Sequence, residues 1–205
     1  MPEIGQPANE RSRRTRQAVL SATRSILEDD GFEALTMGAV ARRAGVSRRG
    51  VYLHFDSVAA LIAGLFDHVA ETEGLAESVD AVWRAPDAIA GLDAWAGHLA
   101  SYHPRVMAVD RALQRIEQTD EAAAAHRTRV CNEQTSNCHR LARWLAADGG
   151  LADGWDVASA TDLLYGLISS DMIGRLLDDR GWSQQRLADR LSLLLRSSLV
   201  RGDGP

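Results

Sequence analysis

The stretch T-M-G-A-V-A-R-R-A-G-V-S-R-R-G-V-Y-L-H-F, residues 36–55, decides the fold. It reads as two short helices separated by Ala44-Gly45-Val46-Ser47. Thr36 and Ser47 stand at the two helix starts, where a hydroxyl can accept an orphan backbone N–H. Gly45 permits the positive φ of a sharp turn. Val40, Ala41, Val46 and Val51 are small enough to let the two helices pack closely. Two short helices on a tight turn form the helix-turn-helix plan, in which the second helix enters the major groove of duplex DNA and the first braces it from the backbone.

The second helix then presents Arg48, Arg49, Gly50, Tyr52 and His54. Arginine pairs in bidentate fashion with O6 and N7 of guanine, for about 1–3 kcal/mol of base discrimination. Tyrosine, histidine and the cap hydroxyls can donate to phosphate oxygens. Thr36 and Ser47 cap their helices with or without DNA, and Val51 and Phe55 are expected in the core. Upstream, Ala18, Val19, Ala22, Ile26 and Leu27 fall on one face of a helix over residues 12–30. Arg11, Arg13, Arg14 and Arg16 lie on or beside it and suit phosphate contacts or a minor-groove reach, with Arg13 and Arg14 the candidates for DNA contact.

Charge separates this head from the rest. All 23 basic side chains are arginine. Nine of them face six acids in residues 1–55, whereas the remainder of the chain holds 14 against 22. A basic head on an acidic body suits a head that meets a polyanion, though such a split also arises on a plain solvated surface. The longest nearly apolar run, residues 58–66, is half of the ~18–20 residues a membrane-spanning helix needs. No secretory signal is visible, and only two cysteines occur, so a cytoplasmic home without a disulfide scaffold is expected.

No segment alternates long enough for a strand, so the expected fold is all-α, with nine helices. After the head come a helix from residue 57, then others over 86–102, 104–117, 120–147, 156–179 and 183–200. Residues 1–10 read as an arm, 11–55 as the DNA-binding head, 56–201 as an effector-binding and dimerisation domain, and 202–205 as a tail.

Residues 36–61, extended upstream by Glu28-Asp-Asp-Gly-Phe32, resemble the signature of TetR-family transcriptional regulators. Ala44, Gly45, Val46, Ser47, Tyr52, His54 and Phe55 carry the match. Arg49 stands where the family usually has glycine, and Val58 where a phosphate-binding lysine is frequent. The resemblance implies that Thr36, Ser47, Arg48, Arg49, Gly50, Tyr52 and His54 contact DNA. It also implies a homodimer on a palindromic operator of double-stranded DNA, with an unidentified small-molecule effector that releases a repressor.

The last two helices are the expected dimer interface, on strips that include Leu164, Ile168, Met172, Leu187, Leu191 and Leu194. The middle helices are expected to hold the effector, with Trp95, His98, Leu99, Tyr102, Met107, Cys131, Gln134, Cys138 and Tyr165 as candidate lining. Trp95, Leu99, Tyr102, Met107, Cys131, Cys138 and Tyr165 also read as plain core, whereas His98, Gln134 and Asn132 are polar residues on inward strips that suit orienting contacts. Cys131 and Cys138 are seven apart, or ~10.5 Å along a helix, beyond the ~7 Å a disulfide allows. No G-x-S-x-G, P-loop, G-x-G-x-x-G or H-E-x-x-H occurs, so no enzyme, cofactor or metal is expected. The competing readings are a nucleoid-type protein that binds DNA without effector gating, and an all-α enzyme or adaptor that does not read DNA.

Overall fold

The computed structural model describes residues 10–202. Among them are eleven α-helices and no strand, only an isolated antiparallel bridge between Leu151 and Val200. The chain divides into two compact units. One comprises the residues up to Val69 together with Ala108–Arg127, and the other Ala70–Met107 with the chain from Thr128 onward.

The first unit opens with α1 (Glu10–Asp29), followed by a 3-10 turn at Phe32–Ala34. The expected arm over residues 1–10 lies outside the described residues except for Glu10, which begins α1; of the tail only Gly202 is described. Next come α2 (Met37–Ala44), α3 (Arg48–Tyr52) and α4 (Val58–Thr72). Their shared core includes Leu20, Ile26, Val40, Val51, Phe55, Leu61, Ile62 and Leu65, all at most 2% exposed. Segments of α7 (His103–Ile116) and α8 (Glu121–Ala147) complete this unit. There Arg127 binds the buried Asp110 carboxylate at 2.6 Å, and Gln114 donates to its second oxygen at 2.8 Å.

The second unit contains α5 (Leu75–Trp83), α6 (Ala88–Ser101), α9 (Val157–Gly166), α10 (Ser170–Gly174) and α11 (Gln184–Leu199), with parts of α7 and α8. Leu92, Trp95, Leu99, Cys138, Leu141, Leu145, Leu164, Ile173, Leu187, Leu191, Leu195 and Leu199 form its core.

The helix count exceeds the expected nine for two local reasons. Gly74, at φ 73°, turns the chain so that α5 begins where the sequence offered no cap. The single helix expected over 156–179 breaks after Gly166, because the Ser169 hydroxyl accepts the Met172 N–H at 3.2 Å and starts α10. A π-helical stretch, Arg175–Asp179, continues α10.

Candidate nucleic-acid interface

The turn between α2 and α3 is held by local bonds the sequence specifies. Thr36 Oγ1 accepts the Ala39 N–H at 3.1 Å and Ser47 Oγ accepts the Gly50 N–H at 3.0 Å. Gly45 adopts the left-handed conformation at φ 66°, and the Val46 N–H reaches back to the Ala41 carbonyl. Val51 and Phe55 are buried and fix which face of α3 points inward. Gly50 is half-buried against the Ser47 hydroxyl, so it shapes the helix start rather than projecting a group outward.

What points outward is basic. Arg48 and Arg49 are exposed, and among the described residues no carboxylate pairs with either. Arg48 lies over the Tyr52 ring, with its guanidinium carbon 5.8 Å from the centroid. Tyr52 and Leu53 are 45% and 75% exposed, unusual for large apolar side chains and concentrated at the end of this helix. His54 is half-buried; burial, and then the nearby Arg16 cation, hold its imidazole below the ordinary histidine pKa, so it is neutral near pH 7.

The other arginines of the head divide by partner. Arg43 is tied to Ser25 at 2.7 Å, to Asp29 at 3.3 Å and to Asp30, so it pins α2 to α1. Arg13 and Arg14 both pair with Glu10, the latter at 3.1 Å. Their charge is therefore partly neutralised at the surface where DNA contact was expected. Arg16 lies over the Phe55 ring at 5.3 Å, a placement that spacing along α1 alone does not reveal.

The candidate effector residues separate in the second unit. Trp95, His98, Leu99, Tyr102, Met107 and Cys138 are buried. His98 is the hub: its ring stacks on Tyr102 at 5.2 Å and lies 5.1 Å from Trp95 and 5.2 Å from His103. Its Nδ1 shares a 2.8 Å hydrogen bond with Ser78 Oγ. Burial, His103 and Arg105 push His98 down to about 3, and burial pushes His103 down to about 4. Both rings are neutral near pH 7. Burial also pushes Tyr102 up to about 12, despite Arg105. The Trp95 indole N–H is buried with no acceptor among the described residues. Tyr165 is half-buried against the core. Cys131 and Gln134 are half-buried and lie outside the ring cluster. Both cysteines are free on α8, and burial raises the Cys138 thiol to about 12. No group of three or more metal-ligating side chains occurs among the described residues.

The expected dimer residues also separate. Leu164, Leu187 and Leu191 are 0%, 0% and 4% exposed in the single chain, so they belong to its own core and are unavailable to a partner. Ile168 and Met172 are half-buried against that core. Leu194 is 44% exposed, and Leu193, which the sequence reading passed over, is 55% exposed.

A basic, double-capped two-helix unit with its second helix presented outward defines a helix-turn-helix DNA-binding protein. Residues 19–65 match the bacterial regulatory proteins of the tetR family. Over 159 residues the chain is 29% identical to the uncharacterized HTH-type transcriptional regulator YdeS of Bacillus subtilis, covering 75% of this chain and 76% of that one. Its fold is similar to that of a transcriptional regulator from Saccharomonospora viridis crystallised with choline, at TM-score 0.77 and 15% identity over 91% and 98% of the two chains. It is also similar to NalD, the secondary repressor of the MexAB-OprM multidrug efflux pump in Pseudomonas aeruginosa, at TM-score 0.68 and 23% identity over 95% and 100%. FadR of Bacillus subtilis in complex with stearoyl-CoA shares the fold at TM-score 0.67 and 14% identity over 87% and 96%. Residues 19–65 thus carry a tetR-type DNA-binding segment, and most of the chain resembles an HTH-type transcriptional regulator. No helix among its described residues is long and apolar enough to cross a membrane.

Proposed function

We propose that the protein is a homodimeric repressor that leaves a palindromic operator when a small molecule binds its second unit. The observation that carries the reading is the exposed Arg48–Arg49 pair, without carboxylate partners, on a helix whose register is fixed by Ser47, Val51 and Phe55. In this reading Thr36, Ser47, Tyr52 and His54 contact the backbone around the groove, with Arg13 and Arg14 as auxiliary cations. The DNA-reading head is residues 11–55, and residues 56–201 carry the effector site and the dimer interface.

The effector site lies around Trp95, His98, Leu99, Tyr102 and Met107. These groups are apolar or neutral, which favours an effector with a large apolar part. The acceptor-less Trp95 N–H is the group that an oxygen of the effector would satisfy. The relatives crystallised with choline and with stearoyl-CoA support a ligand site in proteins of this shape. Dimerisation uses the outward face of α11, where Leu193 and Leu194 are exposed, together with the half-buried Ile168 and Met172. An effector shifts the DNA affinity only by its preference for one dimer state over the other.

Selection of bound duplexes from a random library at physiological salt tests the reading. A palindrome with two half-sites about one helical turn apart is the expected result. Recovery of no motif from folded, dimeric protein, with and without cell extract, overturns it.

A further inference from the structure

The two arginines of α3 are chemically alike but differently supported. Arg48 and Tyr52 are four residues apart and share one stripe of the helix; Arg49 and Leu53 share the next. The Arg48 guanidinium lies over the Tyr52 ring at 5.8 Å. Arg49 has only the aliphatic Leu53 on its stripe, and no aromatic ring or carboxylate among the described residues holds it.

We infer that Tyr52 is a positioning residue for specificity: its ring holds Arg48 as the base-reading arginine, while Arg49 serves the phosphate backbone. A guanidinium resting on an aromatic face keeps its N–H edge free and loses less rotamer freedom when it makes a bidentate pair with guanine. An unsupported arginine at an exposed site gains most from the diffuse attraction of phosphates, which tolerates many rotamers. Tyr52 thus contributes to base preference through its ring, and its hydroxyl is left for the sequence-independent backbone contact proposed above. The inference rests on the proposed DNA reading and adds a division of labour within α3.

The experiment is the random-duplex selection, followed by titration of the recovered duplex and of its single-base variants, on the full-length wild type and on Arg48→Ala, Arg49→Ala, Tyr52→Phe and Tyr52→Leu. Thermal melts check that each variant is folded; Tyr52 is 45% exposed, so its replacement leaves the core intact. Arg48→Ala is expected to erase the preference at one guanine of each half-site, roughly 5- to 100-fold. Tyr52→Leu should relax the same position by about 2- to 5-fold, and Tyr52→Phe should keep the preference. Arg49→Ala should weaken every duplex alike and lower the salt slope by about one. Equal relaxation by Tyr52→Phe and Tyr52→Leu assigns the effect to the hydroxyl and overturns the inference. So does an unchanged base preference in Tyr52→Leu, or loss of base preference in Arg49→Ala rather than Arg48→Ala. A wild type that recovers no motif overturns the DNA reading and this inference together; a recovered motif that Tyr52→Leu leaves intact removes this inference alone.

Discussion

Phe55 lies so close to Gly64 that a Cβ added to the glycine would stand 2.6 Å from the Phe55 ring. The same ring is engaged by Arg16, whose guanidinium carbon sits 5.3 Å from its centroid. The last residue of the helix-turn-helix segment is thereby fitted between α1 and α4.

Gly64→Ala should therefore destabilise the head although alanine favours helix. The propensity gain is ~1 kcal/mol, and overpacking costs about 1–3 kcal/mol. The glycine at position 97 of α6 has open space around its Cβ direction, so Gly97→Ala should stabilise by up to about 1 kcal/mol. Urea denaturation of both variants checks the pair. A Gly64→Ala protein more stable than wild type would show that α4 and Phe55 separate at no cost.

Acid should loosen the second unit. His98 and His103 have folded pKa values pushed down to about 3 and about 4 from 6.5, so the unfolded chain binds protons first as pH falls. Their contribution is flat above about pH 6.5 and declines below it, by at most ~1.4 kcal/mol per pH unit for each ring, until the folded values are reached. Denaturation midpoints between pH 7.5 and 5 measure the decline. His103→Leu should roughly halve the decline, leaving the His98 share; an unchanged slope in that variant would place the acid sensitivity elsewhere.

Glu10→Gln should strengthen DNA binding. Glu10 pairs with both Arg13 and Arg14 at an exposed helix start, where each pair contributes about 0–1 kcal/mol to stability. Removing the carboxylate frees two cations and one repelling charge near phosphate. Affinity at low salt should rise about 2- to 5-fold with a steeper salt dependence. Titrations over a salt series decide it, and a weaker or salt-independent change would take Arg13 and Arg14 out of the interface.

Substitutions along α11 should separate folding from association. Leu187→Ala removes a fully buried side chain and should cost about 2–5 kcal/mol of stability. Leu193→Glu with Leu194→Glu should leave the melting transition nearly unchanged and convert dimers to monomers. Sedimentation distinguishes the two effects; a dimer that survives both charges lies on another face.

The head was legible because its signals are local. Thr36, Gly45 and Ser47 each act within three or four residues of themselves, and the structure places all three as caps or turn. The outer face of α11 was not legible. Leu193, Leu194 and Leu195 are consecutive, each 100° from the next, so periodicity alone cannot say which one the core takes. The structure gives it Leu195. The break at Ser169 was also hidden, because a serine within an apolar helical run gives no sign that it will cap a new helix. Trp95, His98 and Tyr102 are three and four residues apart, so their stripe on α6 follows from spacing, whereas His103 joins them only through the corner between α6 and α7.

The stripe of Leu187, Leu191, Leu195 and Leu199 is satisfied inside its own chain. If the protein is the homodimer proposed above, this buried stripe would let each copy fold before it finds a partner, and association would be an equilibrium set by abundance. For a regulator needing two heads on one operator, scarce protein would exist as folded single copies, and occupancy would climb with the square of their concentration. In that reading such a protein would respond to its own expression level as a threshold, independently of any effector.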